Sequence, residues 1–138
     1  MNKIRPNVLA IIIKDNHLLV QKGEDKETKK VFYRILGGGV EFGETSSEAL
    51  KREFKEEINT TIVNEEFLCV TENIFDYNFG KYHEITFLYK ADLLEKNIYL
   101  EKEIKIIDTD DGYAMWISID DIKAGKVILY PEVTIKYL

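Results

Sequence analysis

The chain has 138 residues, 45% of them hydrophobic, and its formal net charge at pH 7 is −6. This length provides for one globular domain with a sizeable core, so we expect residues 1–138 to form a single domain. The acidic balance disfavours a protein that binds nucleic acid polymers or anionic membranes, because both ligands need a basic protein face.

Cysteine usage and hydropathy favour a cytoplasmic protein. The single cysteine, Cys69, cannot form a disulfide within the chain, which fits a reducing compartment. Residues 8–13 form the one continuous apolar run near the start, and this run is too short for a secretion signal. No stretch approaches the ~20 residues that a membrane span needs. We therefore expect a soluble cytoplasmic protein with no membrane partner.

The first predicted element is a β-hairpin. Residues 8–13 and 18–21 are apolar runs rich in branched side chains, and Asp15 and Asn16 between them suit a tight turn. Successive residues of the first run are apolar, so we expect both of its faces to be covered.

A polar loop over residues 23–30 and a strand over residues 31–36 follow, and the strand leads to three consecutive glycines. Arg34 lies in this strand. Its planar guanidinium suits a phosphate, which makes Arg34 a candidate substrate contact. An ordinary salt bridge is the alternative.

The stretch from Gly37 to Thr60 joins the glycine turn to the principal helix. Thr45 followed three residues later by Glu48 is a capping box, which predicts a helix from Ser46 to Ile58. The glycines permit positive φ and close approach of the backbone to a ligand.

Three glutamates share one side of this helix. At ~100° per residue, Glu53, Glu56 and Glu57 fall within ~100° of arc, while Arg52 lies one turn from both Glu48 and Glu56 and is expected to pair with either. The Glu53 and Glu57 charges repel each other by ~0.2–0.5 kcal/mol even when exposed. Mg²⁺ would remove this cost, since it takes one or two carboxylates together with substrate phosphates.

Two strands and an aromatic turn come next. We predict strands over residues 62–74 and 85–93, and residues 75–83 between them carry four aromatics, with Gly80 as the turn. The aromatic tip is a candidate base-stacking surface. Pairing of these rings across the two strands is an equally good interpretation.

The last third begins with a charged segment, residues 95–111, that we predict to be irregular. A strand containing Trp116 follows, and then a short helix with Ser118 as its N-cap and Gly125 as its terminator. Pro131 is expected to begin a brief closing helix.

Seven residues stand at the spacing G-x5-E-x7-R-E-U-x-E-E, where U is bulky and apolar: Gly38, Glu44, Arg52, Glu53, Phe54, Glu56 and Glu57. This pattern resembles the signature of the Nudix (MutT-like) hydrolases. Asn59 stands where the family has glycine, and Thr60 where it has an aliphatic residue. Asn tolerates the left-handed conformation of a helix end, so we expect the helix cap to be kept.

The resemblance implies an α+β fold, the Nudix α/β/α sandwich around a mixed β-sheet. It also implies that the chain hydrolyses the pyrophosphate bond of a nucleoside diphosphate linked to another moiety, by attack of water on phosphorus. Candidate substrates are nucleoside triphosphates, dinucleoside polyphosphates and similar small nucleotides, and Mg²⁺ is the implied cofactor, with Mn²⁺ as a substitute. The oligomeric state stays open, with a homodimer among the alternatives.

The resemblance also assigns roles to residues of this chain. Glu56, Glu57 and the Gly37 carbonyl are implied metal ligands, and Glu53 is either a further ligand or the general base. Arg52 is expected to orient the acids, and Glu44 to brace the loop against the helix.

Other parts of the site depend on positions that vary within the family. Tyr77 lies where dinucleoside polyphosphate hydrolases carry a tyrosine, which makes it a candidate substrate contact. Some members have a further carboxylate in the segment that corresponds to residues 101–111, and the sequence does not choose among its five acids: Glu101, Glu103, Asp108, Asp110 and Asp111.

A nucleotide sensor with the same fold is the alternative function. Such a protein would bind a nucleotide without cleaving it, and its usual sign is the loss of a glutamate from the signature. All signature glutamates are present here, which favours the enzyme.

Overall fold

The fold is seen in a computed structural model that describes residues 2–107, 109 and 112–138. Two α-helices, α1 (Ser46–Ile58) and α2 (Ile119–Lys123), and two 3-10 helices (Lys96–Leu100 and Glu132–Tyr137) accompany nine strands. In chain order the strands are β1 (Ile4–Ile11), β2 (Ile13–Lys14), β3 (His17–Glu24), β4 (Val31–Gly39), β5 (Ile62–Tyr77), β6 (Gly80–Leu93), β7 (Glu103–Lys105), β8 (Tyr113–Ser118) and β9 (Leu129–Tyr130).

The strands form one mixed sheet. Its order is β5-β6-β1-β4-β3-β8-β7, with β2 beside β3 and β9 beside β4. The β1–β6 and β4–β9 pairs are parallel, and the other pairs are antiparallel. Strand β4 pairs with β3 over residues 31–35 and with β1 over residues 36–39. This one strand therefore connects the two halves of the sheet.

The hydrophobic core lies on both faces of the sheet. Leu50 and Phe54 of α1 pack with Val8 of β1 in one cluster, whereas Ile119 of α2 packs with Leu9 in the other. Successive residues of β1 thus face opposite clusters, and this explains why its apolar run does not alternate with polar residues. The α/β/α sandwich around a mixed sheet is confirmed.

Helix α1 has the predicted bounds and both predicted caps. The Thr45 side chain accepts a hydrogen bond from the Glu48 amide, and the Glu48 side chain accepts one from the Thr45 amide. At the other end Asn59 is left-handed, with φ 50° and ψ 47°. The expectation that asparagine keeps the cap is confirmed.

The remaining local predictions have mixed outcomes. The predicted turn is confirmed, since β2 and β3 form a hairpin with Asp15 and Asn16 at positive φ. The predicted first strand of this hairpin was largely wrong, because residues 8–11 belong to β1, which pairs with β4 and β6. The turn between β5 and β6 was wrongly placed: Asn78 and Phe79 have positive φ and form it, while Gly80 already belongs to β6.

The charged segment, residues 95–111, contains more secondary structure than predicted. Residues 95–111 contain the first 3-10 helix and strand β7, so the irregular prediction was wrong there. Ser118 caps α2 and Gly125 follows it at φ 75°, as predicted. The closing segment after Pro131 is a 3-10 helix. None of the described helices combines the length and apolar character needed to cross a membrane.

Candidate active site

Two glycines at the end of β4 allow close contacts, Gly38 with helix α1 and Gly37 with strand β1. A Cβ atom on Gly38 would lie 2.2 Å from the carboxyl carbon of Glu53, and one on Gly37 would lie 1.9 Å from the carbonyl oxygen of Val8. Any larger residue at position 38 would push the Glu53 carboxylate away. The carboxylate therefore rests directly on the glycine backbone.

The Arg52 guanidinium gathers the acids of this region. Its Nη2 donates to Glu44 Oε1 at 2.6 Å and to the Gly39 carbonyl at 2.8 Å, and its Nε donates to Glu44 Oε2 at 3.1 Å. Its Nη1 donates to Glu53 Oε1 at 2.9 Å and to Glu56 Oε2 at 3.3 Å. The planar fork thus links the glycine strand, the loop before α1 and one side of the helix.

This cluster is partly withdrawn from solvent. The side chains of Glu44 and Glu53 are 17% and 16% exposed, whereas that of Glu56 is 54% exposed. Hydrogen bonds from Arg52 hold the pKa of Glu44 below its usual range, and the same bonds to Glu44 raise the pKa of Arg52. The two groups therefore stay charged at neutral pH.

Of the two alternative partners expected for Arg52, the structure shows Glu56 and not Glu48. Glu48 contacts the Thr45 amide and not the guanidinium, because the capping box uses its carboxylate. Glu44 takes the place that Glu48 was expected to fill: its Oε1 also accepts a hydrogen bond from the Glu41 amide at 2.9 Å. Glu44 thus connects the loop to the helix.

Glu57 is the most buried of the three helix glutamates, with 9% of its surface exposed. Its backbone carbonyl accepts a hydrogen bond from the Ile107 amide at 2.8 Å, which holds Ile107 beside the helix. Glu101 and Glu103 are exposed. Asp108, Asp110 and Asp111 lie outside the described residues.

The donor set on this side of α1 suits a hard divalent cation, since carboxylate and backbone carbonyl oxygens are what Mg²⁺ prefers. Within the described residues, no group of three or more His, Cys, Asp or Glu side chains forms a ready metal cage. Arg52 holds Glu53 and Glu56 in this conformation. These oxygens therefore fit an ion that takes a few protein ligands and completes its coordination with water and substrate phosphates.

Arg34 and Tyr77 line a cavity of about 900 Å³ that also reaches Leu9, the partner of Gly37 on β1. Arg34 Nη2 lies 3.8 Å from Glu84 Oε1, so the alternative of a salt bridge is realised, at long distance. Arg5, Lys22 and Lys30 also line the cavity. The lining also contains five acids, Asp25, Glu72, Asp76, Glu84 and Glu132, so it carries charges of both signs.

The aromatic residues of the cavity come from three parts of the chain. Phe32 of β4 contacts Tyr77 and Tyr130 edge to face, with ring centroids 5.6 and 5.5 Å apart. Phe75 and Tyr82 are partners across β5 and β6 and stack at 5.7 Å. Tyr77 of β5 also contacts Tyr82 of β6, with centroids 5.9 Å apart. Ring contacts across the two strands are thus observed, and Tyr77 packs against β4 as well.

Some residues of structural interest were not singled out from the sequence. The Glu95 carboxylate accepts hydrogen bonds from the Thr60 hydroxyl at 2.6 Å and from the Thr61 amide at 2.8 Å. Asn7 and Thr86 are buried and hydrogen-bonded to each other across β1 and β6. The signal available for Asn7 was a polar residue at the start of an otherwise apolar run.

Comparisons with known proteins agree with the fold and the signature. A model of the NUDIX domain matches residues 3–136. The RNA pyrophosphohydrolase of Ruthia magnifica subsp. Calyptogena magnifica is 26% identical, covering 93% of this chain and 78% of that protein. A nucleoside triphosphatase, NudI, of Escherichia coli is 30% identical over 77% of this chain and 75% of that protein.

Solved structures give the same picture of the fold. A NUDIX hydrolase from Nitrosomonas europaea superposes with a TM-score of 0.67 at 20% identity, covering 97% of this chain and 85% of that one. The MutT NUDIX hydrolase from Burkholderia pseudomallei has a TM-score of 0.63 at 22% identity, covering 86% of each chain. At these identities the likeness concerns the fold alone.

Proposed function

The chain belongs to the Nudix family of hydrolases, which act on phosphoanhydride bonds, and we propose that its substrate is a small nucleotide with a pyrophosphate linkage. The bond cleaved lies in a nucleoside diphosphate linked to another moiety, and water attacks the phosphorus. A nucleoside triphosphate or a dinucleoside polyphosphate meets this description. Residues 1–138 act as one domain in this proposal.

The observation that carries the proposal is the contact network of Arg52. One guanidinium holds Glu44, Glu53 and Glu56 together and also bonds the Gly39 carbonyl. The glutamates of α1 and the glycine backbone of β4 are thereby held next to each other. A charged substrate needs such pre-arranged oxygens if it is to be bound through divalent cations.

The proposed cofactor is Mg²⁺, with Mn²⁺ as a substitute. Glu56, Glu57, Glu53 and the Gly37 carbonyl are the residues that would hold it. When bound, such an ion supplies neutralisation of the phosphate charge and a more acidic water. Members of the family generally need divalent metal ions, and the oxygen-only donor set of this chain agrees with that need.

The remaining roles fall to residues around these oxygens. Glu53, if it is not a ligand, is the candidate to take the proton of the attacking water, because its carboxylate lies on the glycine backbone. Arg52 orients the acids, and Glu44 ties the loop to Arg52. Arg34 and Tyr77 contact the substrate from the cavity.

The experiment that tests the proposal compares the wild type with Glu57→Gln. Each protein is incubated with Mg²⁺ and a nucleotide panel, and phosphate is assayed after addition of a phosphatase. The panel holds nucleoside triphosphates, dinucleoside polyphosphates, ADP-ribose, NADH and nucleotide sugars. We expect hydrolysis of at least one compound by the wild type, and a kcat lower by about 10²–10⁴-fold for the variant.

The control is Glu66→Gln, which makes the same chemical change on the exposed side of β5 and should keep wild-type kcat. If the wild type binds a nucleotide but hydrolyses none of the panel, the chain is a sensor and the proposal is wrong. A 5′-triphosphate oligonucleotide belongs in the panel, because one relative is named an RNA pyrophosphohydrolase. We expect free nucleotides to be preferred over it, given the acidic net charge.

A further inference from the structure

The cavity lies between the two halves of the sheet. One wall consists of residues from β1, β5 and β6, among them Tyr77 and Glu84, and the other consists of residues from β3, β4, the loop between them and the segment around Tyr130. The two halves share β4, which pairs with β3 in its first part and with β1 in its second. A ligand that fills the cavity would therefore contact both halves of the sheet.

Two hydrogen bonds connect the walls beyond the ends of the strands. The loop of residues 25–30 joins β3 to β4, and the turn at Asn78 and Phe79 joins β5 to β6. The Lys26 amide donates to Asn78 Oδ1 at 2.8 Å, and the Asn78 amide donates to Asp25 Oδ1 at 3.3 Å. We call Asp25, Lys26 and Asn78, with these two bonds, the latch.

Each side of the latch is held in place by its own segment. Asp25 Oδ1 also accepts hydrogen bonds from the Glu27 amide at 2.9 Å and the Thr28 amide at 3.4 Å, which fixes the carboxylate within the loop. Asn78 is left-handed, with φ 49°. Glycine meets this φ at lower cost, so the turn by itself does not need an asparagine side chain. The oxygen of that side chain is used by the opposite half of the sheet, through Lys26.

The latch is continuous with the lining of the cavity. Asp25, Thr28 and Lys30 of the loop line the cavity, and so does Tyr77, which directly precedes Asn78 in the chain. A turn that moved away from the loop would take the Tyr77 ring with it. The latch therefore holds a stretch of one wall and a ring of the other in a fixed relation.

We propose that Asp25 and Asn78 are positioning residues for nucleotide binding, which keep the two walls of the cavity at the spacing that the ligand requires. The inference rests on the proposed function, since it takes Tyr77 to contact a bound nucleotide. A ligand that touches both walls binds only the latched arrangement. Its apparent Kd is the intrinsic Kd divided by the latched fraction of the protein, so a weaker latch means weaker binding.

A purely structural role makes a different prediction. Hydrogen bonds that only tie down two surface segments would contribute to the free energy of unfolding and would leave Kd unchanged. A latch that the ligand requires is instead linked to the ligand in both directions, so a bound nucleotide must also hold the latch closed. Affinity and latch opening are therefore measured together.

The first measurement is the binding of AMP, GMP, CMP and UMP by isothermal titration calorimetry in the presence of Mg²⁺. These compounds have no phosphoanhydride bond, so hydrolysis of that bond does not accompany binding. We expect the wild type to bind at least one of them. Asn78→Gly keeps the left-handed turn but loses the bond from the Lys26 amide, and we expect Kd for the tightest ligand to rise by about three- to tenfold.

Two substitutions test Asp25. Asp25→Ala removes the oxygen that accepts from the Asn78 amide and should raise Kd by about threefold or more, whereas Asp25→Asn keeps an oxygen there and should stay within about twofold of the wild type. The control is Asn16→Gly, which makes the same change as at position 78 in the exposed turn between β2 and β3, also at positive φ. It should keep the wild-type Kd.

The second measurement is amide hydrogen exchange of the wild type, followed by NMR with and without the tightest of the four nucleotides. At a free concentration of about ten times Kd, exchange of the Lys26 and Asn78 amides should slow by about tenfold, because the latch then opens only after the nucleotide has left. The Lys126 amide, which donates to the Asp121 carbonyl just beyond α2, is the control. Its exchange rate should not change.

Three results would overturn the inference. They are a wild-type Kd in folded Asn78→Gly and Asp25→Ala, unchanged exchange of the Lys26 and Asn78 amides in the presence of nucleotide, and no binding of any of the four nucleotides at millimolar concentration. If the variants do not fold, the exchange rates of the wild type decide.

Hydrolysis of the nucleotide panel is scored separately from binding. Hydrolysis together with an unchanged Kd in the variants would reject the latch alone. Weaker binding by the variants, with no compound of the panel hydrolysed by the wild type, would reject the proposed function alone.

Discussion

The glutamate side of α1 and the cavity are built in different ways, although β4 contributes to both. On α1, charged groups surround one guanidinium, and all of the residues involved lie within residues 37–57. The cavity is lined by rings, amides, hydroxyls and charged side chains of both signs, from β1, β3, β4, β5, β6 and the segment around Tyr130. The first region is organised by one guanidinium and its acids, whereas the second combines aromatic rings with polar and charged side chains from distant parts of the chain.

This difference suggests a division of tasks between the two regions. The charged region suits the phosphates, which all nucleotides share, while the cavity suits the base, in which nucleotides differ. Substitutions in the first region should therefore change kcat for every substrate alike. Substitutions in the second should change KM and the preference among bases.

After Glu57→Gln, the next largest effect is expected from Arg52→Lys. Lysine keeps the positive charge but has no planar fork, so it cannot hold Glu44, Glu53, Glu56 and the Gly39 carbonyl at once. We expect kcat to fall by about 10–100-fold on every substrate, as is usual when residues that orient metal ligands are lost. Steady-state kinetics with two nucleotides of different base provide the measurement.

The control for this change is Lys51→Arg on the opposite side of the helix, where Lys51 Nζ lies 3.4 Å from Glu65 Oε2. It should leave kcat unchanged. If the loss of kcat in Arg52→Lys differed between nucleotides with different bases, the proposed division of tasks would be wrong. The charged region would then take part in selecting the base.

An intermediate effect is expected from Tyr77→Leu. The substitution removes a ring that contacts Phe32 in the cavity, and loss of one base–aromatic contact costs ~1–3 kcal/mol. We expect KM to rise by about fivefold or more while kcat stays within about twofold. Tyr113→Leu, which removes an exposed ring of β8, is the matched control. A fall in kcat with unchanged KM would contradict the assignment of Tyr77 to substrate binding.

The smallest effect concerns stability and involves neither region. The Thr60 hydroxyl and the Thr61 amide lower the pKa of Glu95 to about 2. Because the folded pKa lies below the unfolded value, the charged form stabilises the fold above about pH 4.5, and this contribution is lost as the pH falls towards 2. Glu95→Gln should therefore be less stable than the wild type at pH 7, and the difference should shrink in acid.

Urea denaturation of both proteins at pH 7, 4.5 and 3 measures this effect, and kcat at pH 7 should be the same for both. Glu101→Gln, an exposed position nearby in sequence, serves as the control. If the difference in stability between the wild type and Glu95→Gln did not depend on pH, the charge of Glu95 would not be the source of the stabilisation.

The charged region was largely predictable from sequence, because its residues are close along the chain. The spacing from Gly38 to Glu57 and the capping box at Thr45 gave the bounds of α1 and the arc of its glutamates. Glu44 as the main partner of Arg52 was missed, since helix geometry alone places Glu48 one turn away and says nothing about the loop.

The cavity was much less predictable, because its parts meet only through the sheet. Phe32 and Tyr77 lie far apart in the sequence, and no local pattern indicates that their rings are in contact. The turn at Asn78 and Phe79 was likewise missed, because glycine is the residue normally expected at positive φ. Register across several strands is a property of the whole fold.

Strand β4 contributes residues to both regions and sets the distance between them. Phe32 in its first half belongs to the ring cluster, and Gly38 in its second half supports the Glu53 carboxylate. The two are six positions apart, which corresponds to at most ~20 Å at ~3.3 Å per residue. The length of the β4 backbone sets the distance between the ring cluster and the Glu53 carboxylate. Replacing one aromatic residue of the cluster by another would therefore leave this distance unchanged.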